Sequence, residues 1–206
     1  MKKILMTAAA VATLATVSTA QADDNMMDRT LTGPYIGVYG GYGWNDAEVG
    51  AADADVDGAD YGVYAGFKAD TILNNTVNKL GLGLTGAVEV YYGGSSADDD
   101  IAGVNVEKDY EYGVRFLPGM AILDRVNPTS YNPYGILGYK RANFEVAGDD
   151  ETLNGFELGL GTELVAYDDI AVRVEYAHTW YGDKDIGGVN VDNDEDTVRV
   201  GVAYTY

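Results

Sequence analysis

From Tyr35 onward, apolar and polar positions alternate with period two, in runs broken by stretches rich in Asp, Gly, Asn and Ser. Eight runs can be read: Tyr35–Trp44, Tyr61–Lys68, Leu80–Tyr92, Tyr110–Phe116, Tyr134–Phe144, Gly155–Leu164, Ile170–Tyr181 and Thr197–Tyr206. A strand turns successive side chains to opposite faces, so each run predicts a strand with two distinct faces. In the third run Leu80, Leu82, Leu84, Val88, Val90 and Tyr92 share one side, and Gly81, Gly83, Thr85, Ala87, Glu89 and Tyr91 the other. In the sixth, Phe156, Leu158, Leu160, Thr162 and Leu164 oppose Glu157, Gly159, Gly161 and Glu163. In the seventh, Ile170, Val172, Val174 and Tyr176 oppose Ala171, Arg173, Glu175 and Ala177; in the eighth, Val198, Val200, Val202, Tyr204 and Tyr206 oppose Arg199, Gly201, Ala203 and Thr205. The fifth run reads either way, with a preference for Tyr134, Ile136 and Gly138 on the apolar side over Gly135, Leu137 and Tyr139.

A soluble sandwich also alternates, so the character of the second face decides the fold. That face is made of Gly, Ala, Thr, Tyr and a few Glu and Arg. Such residues suit the cramped interior of a small barrel, which side chains fill. The expected fold is all-β, an eight-stranded antiparallel up-and-down transmembrane β-barrel. Eight is an even number, and most runs have room for the roughly 9–11 residues that cross a bilayer at a tilt. The second and fourth runs are short and need residues from their flanks.

The start of the chain is different. Met1-Lys2-Lys3 is basic, Ile4–Val17 is apolar, and Ala20-Gln21-Ala22 has the small-x-small form of a signal-peptide cleavage site. The expected organisation is a cleaved secretory signal over 1–22, a short segment over 23–33, and the barrel over 34–206. The apolar run is too short for the roughly 20 residues of a spanning helix.

Charge narrows the function classes. The 206 residues hold 33 acids and 13 Lys or Arg, a net charge of −20, which argues against nucleic acid as a partner. Cysteine is absent, so neither disulfides nor thiolate chemistry contribute. The acids are unevenly placed. The connections Asn45–Asp60, Gly93–Asp109, Glu145–Asn154 and Gly182–Asp196 carry six, five, four and six acids, with Lys108 and Lys184 the only bases. The three intervening connections carry four acids and two bases. Alternate connections of an up-and-down barrel lie at opposite ends, so one end is expected to be strongly acidic and the other nearly neutral. Within the strands, Lys68, Glu89, Glu111, Arg115, Glu157, Glu163, Arg173, Glu175 and Arg199 fall on the small-residue face. Charges there survive only when paired and hydrogen-bonded, so an interior ion-pair network is expected to plug the lumen.

At these residues the chain resembles a known family. Gly33-Pro34-Tyr35-Ile36-Gly37-Val38-Tyr39-Gly40-Gly41-Tyr42-Gly43-Trp44 is similar to the first strand of the outer-membrane β-barrel domain family, which groups with the barrel of outer-membrane protein A and the Omp25/opacity-like small porin-family proteins. Gly155–Leu164 and Ile170–Tyr176 resemble its sixth and seventh strands. The closing segment resembles the signal read by the barrel-assembly machinery, with Arg199, Gly201, Tyr204 and Tyr206 at the matching positions and Tyr206 where Phe is more usual. The resemblance implies residence in the outer membrane, both termini in the periplasm and the acidic connections outside the cell. Tyr42, Trp44, Tyr92, Trp180, Tyr204 and Tyr206 would form the interfacial girdles. A periplasmic peptidoglycan-binding domain is not expected after Tyr206. In outer-membrane protein A interior Glu and Arg gate a narrow pore; the matching positions are Glu163 and Arg173 and, more loosely, Glu89 and Arg115.

Candidate chemistry is sparse. Asp53-x-Asp55-x-Asp57-Gly58 resembles the opening of a calcium loop, but its twelfth position is Tyr64, not Glu. Asp192, Asp194 and Asp196 form a second cluster. Both read first as acidic solvated segments, with weak divalent-cation binding, shared with lipopolysaccharide phosphates, as the sharper reading. His178, the single histidine, precedes Thr179 and lacks a Ser two residues away, so a lipid-modifying enzyme is disfavoured. Glu157 and Glu163 lie about 20 Å apart on one strand, too far for a glycosidase pair at about 5–10 Å. The expectation is a non-enzymatic, monomeric outer-membrane protein without cofactor, in contact with lipid, lipopolysaccharide and the assembly machinery, that supports the envelope and presents acidic loops. The alternative is a narrow, low-conductance pore gated by interior Glu/Arg pairs.

Overall fold

The computed structural model describes residues 32–49, 52–71, 82–96, 98–101, 104–123, 130–146, 149–167, 169–182, 184–186 and 189–206. The signal segment expected over 1–22 lies outside the described residues. The described residues form ten strands: β1 (Gly33–Val49), β2 (Ala52–Thr71), β3 (Leu82–Ser95), β4 (Asp98–Ile101), β5 (Val104–Leu123), β6 (Ser130–Val146), β7 (Asp149–Tyr167), β8 (Ile170–Tyr181), β9 (Lys184–Ile186) and β10 (Val189–Thr205). Eight of them pair antiparallel in the order β1-β2-β3-β5-β6-β7-β8-β10, and β1 pairs with β10 to close the sheet. The fold is a closed eight-stranded up-and-down barrel. Closure leaves no sheet edge, which is what lets a sheet sit in hydrocarbon.

The alternation is realised as two walls. Outward stand Val88, Val90, Val114, Phe116, Leu158, Leu160, Val174 and Val200, all well exposed. Inward stand Tyr35, Tyr39, Tyr64, Ala87, Tyr91 and Ala177, all buried. Glycine makes room for the inner rings at specific points. A Cβ on Gly37 would lie 2.2 Å from the Tyr64 ring, and one on Gly93 would lie 2.1 Å from the Tyr39 hydroxyl.

Two expectations are corrected. On β6 it is Tyr134, Ile136 and Gly138 that are buried, while Leu137 and Tyr139 face outward. Gly138 is paired between Arg115 and Glu157, where a Cβ would crowd both side chains at 3.2 and 3.3 Å. The reversal also turns Lys140 into the lumen and Arg141 out of it. The second correction concerns the acidic connections, which are mostly strand. β1 and β2 stay paired up to Val49 and Ala52, β4 pairs with β5, and β9 pairs with β10. The strands read as short, β2 and β5, each run to 20 residues. This exceeds the roughly 9–11 needed to cross, so β-ribbons overhang the barrel at the acid-rich end.

Candidate functional site: the charged lumen

The inner wall carries charge at three levels. Register brings Glu89 opposite Arg115 and Glu163 opposite Arg173, with glycines at Gly138, Gly161 and Gly201 between neighbouring long side chains. At the middle level Arg115 binds Glu157 through Nε (2.8 Å) and Nη2 (3.1 Å), and Glu175 through Nη1 (3.1 Å). Arg173 Nη1 donates to Glu89 (2.7 Å) and Glu175 (3.2 Å). Toward the acid-rich end, Lys108 Nζ meets Glu195 (2.6 Å), Glu111 (2.9 Å) and Asp60 (3.5 Å). Lys140 bridges the same Glu111 (2.8 Å) and Glu195 (2.7 Å), and Arg199 pairs with Glu111. Toward the terminal end, Lys68 pairs with Glu163 beside a small cavity of about 10 Å³, lined also by Tyr35, Leu117 and Asn132.

Tyrosines complete the bonding. Tyr35, Tyr39, Tyr91, Tyr134 and Tyr181 donate to Glu89, Glu111, Glu157, Glu175 and Glu195, at 3.0, 3.2, 3.3, 2.7 and 2.5 Å. The cations also lie over tyrosine rings. Arg173 sits 4.0 Å from the Tyr64 centroid, Arg115 4.2 Å from Tyr91 and Arg199 4.8 Å from Tyr39. Ion pairs, hydroxyl donors and cation–π contacts together offset the removal of these charges from water.

All nine charges expected in the lumen stand on this buried face, each at most 7% exposed. Asp60, Lys108, Lys140 and Glu195 join them and were missed. Asp60 and Glu195 continue the parity of Lys68 and Arg199 beyond the ends assigned to those runs. Lys108 has the opposite parity to Glu111, and a register shift between Lys108 and Tyr110 is what turns it inward. Lys140 was hidden by the reversed face of β6. Asp60, Glu111 and Glu195 offer ligand oxygens within 4.8 Å of one another, but the Lys108 and Lys140 ammonium groups already sit among them.

Of the residues resembling an assembly signal, Arg199 and Gly201 face inward, and Tyr204 and Tyr206 pack edge to face outside with centroids 5.1 Å apart. The side chains of Asp53 and Asp55 lie outside the described residues; Asp57 is exposed. The backbone there is strand β2, so the three Asp occupy alternate positions of a strand, not a loop. Register joins this row to the second acidic cluster. Asp55 pairs with Asp46 and Asp46 with Asp194, while Asp53 pairs with Glu48 and Glu48 with Asp192. His178 is half-buried on the outer wall, with Nδ1 2.9 Å from Asp196 and its ring edge-on to Trp180 at 4.4 Å.

An apolar outer wall, a closed sheet and a charge-filled interior describe a barrel whose solvent is lipid. The sequence profile of the outer membrane protein beta-barrel domain matches residues 7–205. The chain belongs to this family. It is therefore an outer-membrane β-barrel with a buried charged network. It is 31% identical over 180 residues to the 25 kDa outer-membrane immunogenic protein of Brucella canis, covering 84% of this chain and 78% of the relative. The Brucella ovis protein of the same name is 29% identical over 176 residues, with 84% and 77% covered. Among solved structures, Neisserial surface protein A is matched at 14% identity and a TM-score of 0.45, with 83% of this chain and 97% of that one covered.

Proposed function

We propose that this family member is a non-enzymatic envelope protein whose lumen is plugged by its interior ion pairs and whose acidic ribbons face the cell exterior. The observation that carries the reading is the filling of the lumen: seven acids and six bases interlock at three levels, and five tyrosines donate into them. Near-balance of charge across a barrel this narrow favours packing and register over ion passage. The overhanging ribbons supply the surface for contact outside, and the Brucella relatives are named as immunogenic proteins. Export would follow cleavage after Ala22, and Arg199, Gly201, Tyr204 and Tyr206 would serve the assembly machinery.

The second reading is a narrow pore gated at Glu163 and Arg173. What favours it is that Lys68, Glu163 and Arg173 together line one small water-sized cavity at the terminal end. Single-channel recording of the refolded protein in a planar bilayer separates the two. An intact barrel, shown by heat-modifiable gel migration, without conductance supports the plugged reading. Discrete openings altered by Glu163→Gln or Arg173→Met overturn it in favour of the pore.

A further inference from the structure

Among the seven Lys and Arg whose side chains are described, six point into the lumen and Arg141 alone stands on the outer wall. An exterior arginine costs about 2–4 kcal/mol at the bilayer midplane but about 0–1 kcal/mol near an interface, so its level in the wall matters. Its neighbours along and across the strands bound that level. Tyr92, Tyr112, Arg141 and Asn154 occupy one row across β3, β5, β6 and β7. The row nearer the midplane reads Val90, Val114, Tyr139, Phe156 and Trp180, with Phe156 and Trp180 stacked at 6.3 Å. Arg141 thus lies where the apolar band gives way to the tyrosine girdle, at headgroup depth on the acid-rich side.

The side chain is braced. Its Nε donates to the Asn154 side-chain oxygen at 2.6 Å, and among the described residues no carboxylate lies within ion-pairing distance of it. A guanidinium carries five N–H donors, so the brace leaves its terminal edge for another acceptor. Tyr112 and Tyr139, both exposed, flank it on the lipid side. A planar cation whose fork meets no described carboxylate is matched by an oxyanion that accepts two parallel bonds, as a phosphate does. An acyl chain of the lipid that bears the phosphate would lie along the Tyr139–Phe156 surface below.

We infer that Arg141, oriented by Asn154, is a docking point for the phosphate of a phosphorylated glycolipid in the outer leaflet. The inference rests on the orientation proposed above. Binding measured in detergent is independent of orientation, so the two can fail separately. The protein, purified in mild detergent, is titrated with a labelled lipopolysaccharide lipid anchor, either bearing its phosphates or stripped of them. The wild type should favour the phosphorylated form. Arg141→Ala should weaken that form about tenfold, equivalent to about 1.4 kcal/mol, and leave the stripped form unchanged. Asn154→Ala, which keeps the charge but removes the brace, should weaken it less and in the same direction; it serves also if Arg141→Ala does not fold. Excess inorganic phosphate should leave the lipid bound. Equal affinity of wild type and Arg141→Ala, equal affinity for both lipids, or displacement by inorganic phosphate would each overturn the proposal.

Discussion

Arg115→Ala tests whether the lumen is held together by its ion pairs. Arg115 is 3% exposed and makes three contacts of 2.8–3.1 Å to Glu157 and Glu175, with the Tyr91 ring at 4.2 Å. The middle level holds Glu89, Glu157 and Glu175 against Arg115 and Arg173, one carboxylate in excess. Removing Arg115 doubles that excess in a space closed to water. Hydrogen bonds to charged groups contribute about 1.5–3 kcal/mol each but are not additive. Loss of one partner of a buried pair costs about 3–5 kcal/mol, and that is the expected destabilisation.

Arg115→Met combined with Glu157→Gln restores the original excess of one carboxylate, keeps the volume, and leaves an acceptor for the Tyr91 hydroxyl. A buried pair replaced as a unit is often neutral, so the double variant should recover most of the loss. The assay is reversible urea unfolding in lipid vesicles, followed by the fluorescence of Trp44 and Trp180, the two tryptophans, with heat-modifiable migration as the folding control. An Arg115→Ala barrel within about 1 kcal/mol of wild type would refute the reasoning, since a surface pair costs no more than that. So would a double variant no more stable than the single.

Gly93→Ala should destabilise the barrel, because its Cβ would meet the Tyr39 hydroxyl at 2.1 Å and the Tyr61 carbonyl at 2.7 Å; Gly40→Ala, with nothing within 4 Å, should be tolerated, and equal urea midpoints for the two would contradict the packing described. Leu160→Arg, at the most exposed apolar position of the wall at 72%, should cost about 2–4 kcal/mol in vesicles, whereas a soluble protein would tolerate it. Tyr134→Phe removes the donor 2.7 Å from Glu175 and should lower stability by about 1.5–3 kcal/mol in the same unfolding assay; no change would mean that the hydroxyls are space-filling only.

The fold was legible because period-two alternation survives wherever one wall meets lipid and the other meets small residues. Arg173 and Glu175 on β8 could be assigned to the lumen from Val172, Val174 and Tyr176 alone. The pattern failed at three kinds of place. On β6 the inner wall carries Ile136 and the outer wall carries Arg141, so each face holds one residue proper to the other. At Lys108 a single extra residue reverses parity, and no local sequence signal marks the shift. In the acidic stretches, Asp, Asn and Gly are poor strand formers and good turn formers, yet pairing continued from the barrel overrides that preference.

That override bears on what the acidic end is for. Like charges directly opposite one another weaken a sheet, and here acidic positions meet in register across three strands: Asp55, Asp46 and Asp194 in one row, Asp53, Glu48 and Asp192 in the next. A barrel selected for stability alone would end in short turns at the lipid boundary, as its strands need only about 9–11 residues to cross. This one instead extends its sheet beyond that length and carries acidic positions in register along the extension. Inside, the same chain pairs nearly every charge. Interior balance and exterior excess are therefore separate features of one register, the first stabilising the barrel and the second drawing on that stability to hold a concentrated negative surface. A field of that kind acts on whatever approaches that end, repelling anions and attracting cationic groups over roughly a Debye length, about 8 Å at physiological salt. The proposed role therefore belongs to the ribbons, and the charge-filled barrel is what holds them in place.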